Sequence, residues 1–190
     1  MIGWVQNVLV ELLEEVGGAE MRDRVFALAG VPEGTRYRMD RNYSDEEVHR
    51  LLAATAEVTG MDADAMNEAY GRAFLAKSKR MFPKFFDDVN SSRDLLHRQA
   101  AIHRSLGAGL RDPLERETVA KKFVVNEDGP DLVVDYQSQN GMCGLYRKMA
   151  HLVADEHGER IEVTNERCAK RDGGPLQCRF RLHWPDAHRG

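Results

Sequence analysis

Long apolar runs are missing from this chain of 190 residues, and no stretch approaches the roughly 20 residues a membrane-spanning helix needs. The opening residues, Met1-Ile2-Gly3-Trp4-Val5-Gln6, lack both the basic flank and the extended apolar segment of a secretory leader. These two absences predict a cytoplasmic protein without membrane insertion. Cysteine is scarce. Cys143, Cys168 and Cys178 are too few, and odd in number, for a disulfide framework. Basic charge is not gathered into a patch or tail, and the formal net charge is −4, so no nucleic-acid partner is expected. Also missing are a nucleophile–base motif, a phosphate-cradling glycine loop and a metalloprotease motif. The acidic groups Glu14-Glu15 and Asp45-Glu46-Glu47 read as solvated helix faces and caps rather than paired catalytic carboxylates. The expectation is a protein that is not itself an enzyme.

What is present is the profile of a soluble globular chain, 42% hydrophobic and 31% charged, long enough to bury a proper core. Residues 2–17 carry apolar side chains at helical spacing and stop at Gly17-Gly18. A short helix follows over 20–30, then a polar connection over 33–43. Ser44 with Glu47 forms a capping box that opens a helix to about Gly60, and Asp62 caps the next, to about Arg80. Asn90, Ser91 and Ser92 offer caps for a helix over 92–106. Residues 107–118 read as a polar connection. Two strand pairs, 121–126 with 131–138 and 160–168 with 177–184, flank a helix over 142–157. A helical part followed by ββ-α-ββ gives an α+β fold whose C-terminal part holds a four-stranded antiparallel sheet.

Two features carry the chemistry. The strand ending Asp135-Tyr136-Gln137-Ser138-Gln139-Asn140 puts Tyr136, Ser138 and Asn140 on one face, a row of three polar groups. That row is either the solvent face of an edge strand or a surface that meets something polar. On the helix over 92–106, Leu95, Leu96, Gln99, Ile102, His103 and Leu106 share a face, whereas His97 falls on another. His103 is either a core imidazole satisfied by a backbone carbonyl or an axial ligand of haem iron.

Taken together, Gly3, Asn7-Val8-Leu9-Val10-Glu11, the acidic helix start at 44–48, the Phe74 segment, the helix bearing His103, the Tyr136-x-Ser138-x-Asn140 strand end and the Cys168…Cys178-Arg-Phe-Arg-Leu hairpin resemble the haem-nitric oxide/oxygen binding (H-NOX) family, of the stand-alone bacterial sensor type. The resemblance runs the length of the chain in order. It implies a single domain over 1–190, with a distal helical subdomain over 1–60, a proximal α/β subdomain over 61–190 and haem b between them. It implies His103 as the iron ligand and Tyr136, Ser138 and Asn140 at the propionate-binding positions. The family has arginine where Asn140 stands. Asparagine supplies no charge to a carboxylate, so sub-stoichiometric haem is expected, with Arg147 and Lys148 the nearby cations in sequence.

The resemblance also places Val5, Leu9, Phe74 and Leu145 at distal-pocket positions, Leu145 where oxygen-binding members carry a tyrosine. None of the four offers a hydrogen-bond donor, so binding of nitric oxide and CO is expected, without a stable oxygen complex. It further implies that gas binding weakens the iron–His103 bond and that the helix carrying His103 passes the change to a separate partner, a histidine kinase or a cyclic-di-GMP enzyme. Cys143, Cys168 and Cys178 match three positions of a four-cysteine zinc site found in some members. The fourth falls on Leu145, leaving His151 or His183 to complete the set. The alternative reading is a haem-free thiol/zinc redox-sensing or interaction module on the same fold, and a third is a small-molecule carrier.

Overall fold

The computed structural model describes residues 1–137, 141–172 and 177–185. Ser138 and Asn140 of the polar row lie outside the described residues. The chain separates into two compact units, Met1–Ser78 and Lys79–Gly190.

The first unit is helical. Helix α1 runs Gly3–Ala29, α2 runs Asp45–Thr59, and most of α3, Ala63–Met81, belongs here. The stop expected near residue 17 is a break inside α1. Gly18 has φ 69° and ψ −170°, a region open essentially to glycine alone. The Ser44 cap of α2 is formed, its hydroxyl accepting from the Glu47 N–H at 3.1 Å. The division after Ser78 follows from what α3 touches. Tyr70 donates its hydroxyl proton to the Val5 carbonyl at 3.0 Å. The Lys77 ammonium is ion-paired with Glu11, donates to the Asn7 carbonyl at 3.3 Å and lies 5.1 Å from the Trp4 ring centre. Those contacts fasten α3 to α1.

The second unit is α+β. Its helices are α4, Ser92–Ala108, and α5, Pro113–Ala120, then α6, Cys143–Glu156, and the single turn α7, Ala169–Asp172. Strands β1 Phe123–Asp128, β2 Asp131–Gln137, β3 Glu162–Arg167 and β4 Gln177–His183 form one antiparallel sheet in the order β1-β2-β4-β3. Helix α5 corrects the expected polar connection. The Asp112 carboxylate accepts from the N–H groups of Leu114 and Glu115, and Pro113 sits at the first helical position, where its missing N–H costs nothing.

The sheet has one apolar face. Leu132, Val134 and Tyr136 of β2 and Cys178, Phe180 and Leu182 of β4 are buried on it. The opposite face is a charge ladder. The Asp135 carboxylate, 6% exposed, accepts two hydrogen bonds from Arg179 at 2.8 and 2.7 Å and a third from Arg167 at 3.4 Å. Arg181 reaches Glu166, Asp128 and Asp131, and His183 meets Asp131 at 2.7 Å. The polar group that the Asp135 face meets is therefore its own sheet's arginines.

Helix α4 is set by its N-terminus. Ser91 is the cap, accepting from the Asp94 N–H at 3.1 Å. Ser92 is fully buried and does something else. Its N–H and its hydroxyl both donate to the Glu159 carboxylate, and the hydroxyl accepts from the Trp184 indole N–H at 2.8 Å. Two distant segments, at Glu159 and Trp184, thus fix the start of the helix that carries His103.

Candidate functional site

His103 lies three turns into α4, half-buried, its ring 4.5 Å from that of Phe123. Its Nδ1 sits 3.0 Å from the Gln99 carbonyl oxygen. A carbonyl only accepts, so Nδ1 carries the proton and Nε2 keeps its lone pair. Among the described residues nothing hydrogen-bonds to Nε2. Burial lowers the pKa to about 4, with Lys122 adding to the effect and the Gln99 bond opposing it, so the imidazole is neutral at physiological pH. The carbonyl-satisfied reading and the ligand reading describe the same geometry, because the carbonyl takes one nitrogen and frees the other. His97 is exposed on another face, 3.6 Å from Glu127.

Tyr136 does not face solvent, and β2 is not an edge strand. It lies between β1 and β4, with Tyr136 opposite Phe123 on one side and Cys178 on the other. The rings of Phe123, Tyr136, Tyr146 and Phe180 pack on one another at 4.7–5.9 Å, and His103 joins through Phe123. The Tyr146 hydroxyl, inside this group, is buried without a hydrogen-bond partner among the described residues, and burial raises its pKa well above the usual phenol range. Just past the undescribed residues, Gly141 has φ 60°, and a Cβ there would lie 2.6 Å from Lys170 Cε and 3.2 Å from its Nζ. A cation that sequence spacing did not single out therefore stands beside the residue that follows Asn140. An imidazole Nε2 with no hydrogen-bond partner among the described residues, on an aromatic-lined helix, fits the axial ligand of a haem, and so do Tyr136 and a nearby lysine for its acidic groups.

In the first unit, Leu9 is buried and Val5 and Phe74 are half-buried. Phe74 packs against Trp4 at 6.3 Å and Tyr70 at 6.0 Å. The Tyr70 hydroxyl is committed to the Val5 carbonyl, so it is not a free donor. Gln6, which no sequence signal marked, is 1% exposed with neither amide atom partnered among the described residues. Leu145 is the third residue of α6, half-buried, and offers no donor and no ligand.

The three cysteines do come together. Their Sγ atoms lie within 4.8 Å of one another, and all three thiols are buried and free. The backbone N–H of Arg171, and then that of Lys170, hold the Cys168 thiol below the usual range against the effect of burial, while burial pushes Cys178 up to about 11. Among the described residues no fourth ligand joins them. His151 is on α6 away from the trio, and His183 is bonded to Asp131 on the other face of the sheet. Among the described residues neither histidine completes the set, which stands at three of the four ligands structural zinc takes; Asp186 and His188 lie outside the described residues.

A family model described as haem-NO-binding matches residues 2–165. A soluble guanylate cyclase of Caenorhabditis elegans, gcy-37, is 27% identical over 103 residues, which are 48% of this chain and 14% of that protein. Among solved structures, an H-NOX protein from S. oneidensis in the Fe(II)NO ligation state superposes with a TM-score of 0.78 at 15% identity, covering 97% of this chain and 99% of that one. An Fe(II) unliganded H-NOX mutant from K. algicida gives 0.75 at 18% identity, over 100% and 99%. An oxygen-binding H-NOX domain related to soluble guanylate cyclases, in its oxygen complex, gives 0.75 at 17% identity, over 97% and 95%. Among the described residues no helix is long and apolar enough to cross a membrane.

Proposed function

The chain belongs to the haem-NO-binding (H-NOX) family, whose domains are haem-binding gas sensors and not themselves catalytic, and on that footing we propose that it senses nitric oxide, and also takes up CO, through a haem held by His103. The observation that carries the reading is the state of His103, neutral, with its proton held on Nδ1 by Gln99 and its Nε2 without a hydrogen-bond partner among the described residues. Haem, when bound, supplies the iron on which a diatomic gas is taken up. Everything else is the work of this chain. The Gln99 carbonyl fixes the imidazole's tautomer and orientation, one turn back on the same helix. Tyr136 and Ser138 serve the propionates, with Asn140 in place of the arginine and Lys170 as the replacement cation. Val5, Leu9, Phe74 and Leu145 bring no donor, and Tyr70 keeps its hydroxyl proton on Val5. Bound oxygen needs such a donor; nitric oxide does not.

The output element is α4. Its first turn is pinned by Ser91, Ser92, Glu159 and Trp184, whereas the turn that bears His103 is biased by whether that imidazole is held or released. A two-state element biased by a ligand is the physical requirement for a sensor. The partner we propose is a separate signalling protein, a histidine kinase or a cyclic-di-GMP enzyme. Absorption spectra of the ferrous protein test the reading. Stable CO and nitric oxide bands, without an oxygen-complex band in air, are expected. A persistent oxygen complex would overturn the gas selectivity, and a His103→Ala variant with an unchanged ferrous spectrum would remove His103 from the ligand role.

A further inference from the structure

Three thiols on three separate segments point at one place. Cys143 opens α6, Cys168 follows β3 and Cys178 is the second residue of β4. Their exposures are 9%, 9% and 5%, their Sγ atoms lie within 4.8 Å of one another, and no disulfide joins them. The backbone N–H of Ala169 donates to the Cys178 sulfur at 3.4 Å. Among the described residues no histidine, cysteine or carboxylate supplies a fourth atom. The sequence between Asp172 and Gln177 is Gly-Gly-Pro-Leu, which has no ligating side chain to add.

Structural zinc takes four protein ligands, and among the described residues this site offers three. Charge narrows the choice further. Three thiolates carry three negative charges, and a buried site penalises whatever net charge remains. A monovalent soft ion leaves two uncompensated and a divalent ion leaves one. A trivalent ion leaves none. Thiolate is the soft donor that a thiophilic ion selects.

We propose that Cys143, Cys168 and Cys178 form a three-coordinate thiolate site for a trivalent thiophilic metalloid, of the arsenic(III) and antimony(III) class. Such an ion makes three bonds in a pyramid and fills the fourth direction with its own lone pair, so a missing fourth ligand is what it requires. With arsenous acid, three S–As bonds form and three As–O bonds break. Each thiol proton leaves with one hydroxyl group as water, three waters in all. Arsenic stays trivalent and no electron is transferred. The bound ion ties the first turn of α6 to β3 and β4, beside Tyr136, which pairs directly with Cys178. This assignment does not depend on haem.

The test uses the full reduced chain with arsenite alone, with zinc chloride alone, and with arsenite added after zinc. Intact-mass measurement is expected to show one arsenic per chain with loss of three hydrogens, and X-ray absorption to show three sulfurs and no oxygen around it. Arsenite is expected to displace preloaded zinc. Cys143→Ser and Cys178→Ser, checked for native circular dichroism, are expected to weaken arsenite binding by at least about tenfold. The sulfur count on the unsubstituted chain stands even if a variant fails to fold. The proposal is overturned by no arsenic uptake, by a shell of two sulfurs and an oxygen, or by zinc held through four protein donors that arsenite does not displace.

Discussion

Ser92→Ala should be among the most damaging single-atom deletions in the chain. The hydroxyl is fully buried, donates to the Glu159 carboxylate and accepts from the Trp184 indole, which is itself 5% exposed. Deleting it removes a hydrogen bond to a charged group, about 1.5–3 kcal/mol, and strands a buried N–H, about 1–3 kcal/mol more. The expected loss is roughly 3–5 kcal/mol, against a total stability of about 5–15 kcal/mol. For a chain of this size that lowers Tm by roughly 6–20 °C. Ser91→Ala, one residue earlier, removes an exposed-side helix cap and should cost only about 1 kcal/mol. Urea unfolding at neutral pH measures both. The pair Ser92→Ala and Trp184→Phe closes a cycle, in which the double variant should lose about 1–2 kcal/mol less than the sum of the singles, because the stranded N–H goes with the indole. If Ser91→Ala proved the costlier change, or the two serines cost the same, the assignment of Ser92 as a buried junction would be refuted. Because this junction fixes the start of α4, the same variant should also raise the haem dissociation rate while leaving the positions of the ferrous bands unchanged.

Two other perturbations separate chemistry from packing. Gln6 buries an amide with no partner among the described residues, so Gln6→Met, of similar volume, should stabilise the chain by about 1–2 kcal/mol in urea unfolding, and a loss of stability would mean the amide is satisfied after all. The Asp131 carboxylate has its pKa lowered, first by the hydrogen bond from His183, which outweighs the opposing effect of burial, and then by Arg181. A depressed carboxylate stabilises above its unfolded value and loses that contribution as pH falls through its folded one. Asp131→Asn should therefore be less stable than the parent near neutrality and converge on it below about pH 4. A gap that persists undiminished at pH 2 would point to lost packing instead.

The helices of the first unit were legible because each rests on a local signal. The apolar period of α1, its glycine break and the Ser44 cap are all within four residues of what they control. Helix α5 was missed although its start signal was present. Asp112-Pro113 is a cap followed by a proline at the first helical position, but the sequence that follows is polar, and Val119 alone is buried. Amphipathic period is a weak guide where one side chain does the packing. The partners of Asp135 and Ser92 were beyond reach for a different reason. Arg179 lies 44 residues away and Trp184 lies 92 away, and nothing local to either serine distinguishes the cap, Ser91, from the junction, Ser92.

At the site, spacing placed His103 and Tyr136 on definite faces but left their environment open. Helical period placed His103 on the packed face of α4, and that position makes the Gln99 carbonyl, four residues back, its hydrogen-bond partner. The i−4 geometry is the reason a buried histidine on a helix can be satisfied and still offer a ligand nitrogen. Strand period likewise put Tyr136 on a definite face, the one it shares with Leu132 and Val134, and that apolar row is the buried one; the polar residues at the strand's end obscured it. Its neighbours in the sheet, Phe123 and Cys178, sit in the same cross-strand row. That row also links the two chemistries of the second unit. The ring next to His103 contacts Tyr136, and the residue paired with Tyr136 is one of the three thiols. An ion bound at the cysteines should therefore shift the ring packing around Tyr136 and, through Phe123, reach His103. Fluorescence of the chain before and after arsenite, with Cys178→Ser as the control, reads that coupling. An unchanged spectrum in the loaded protein would show the two sites to be independent.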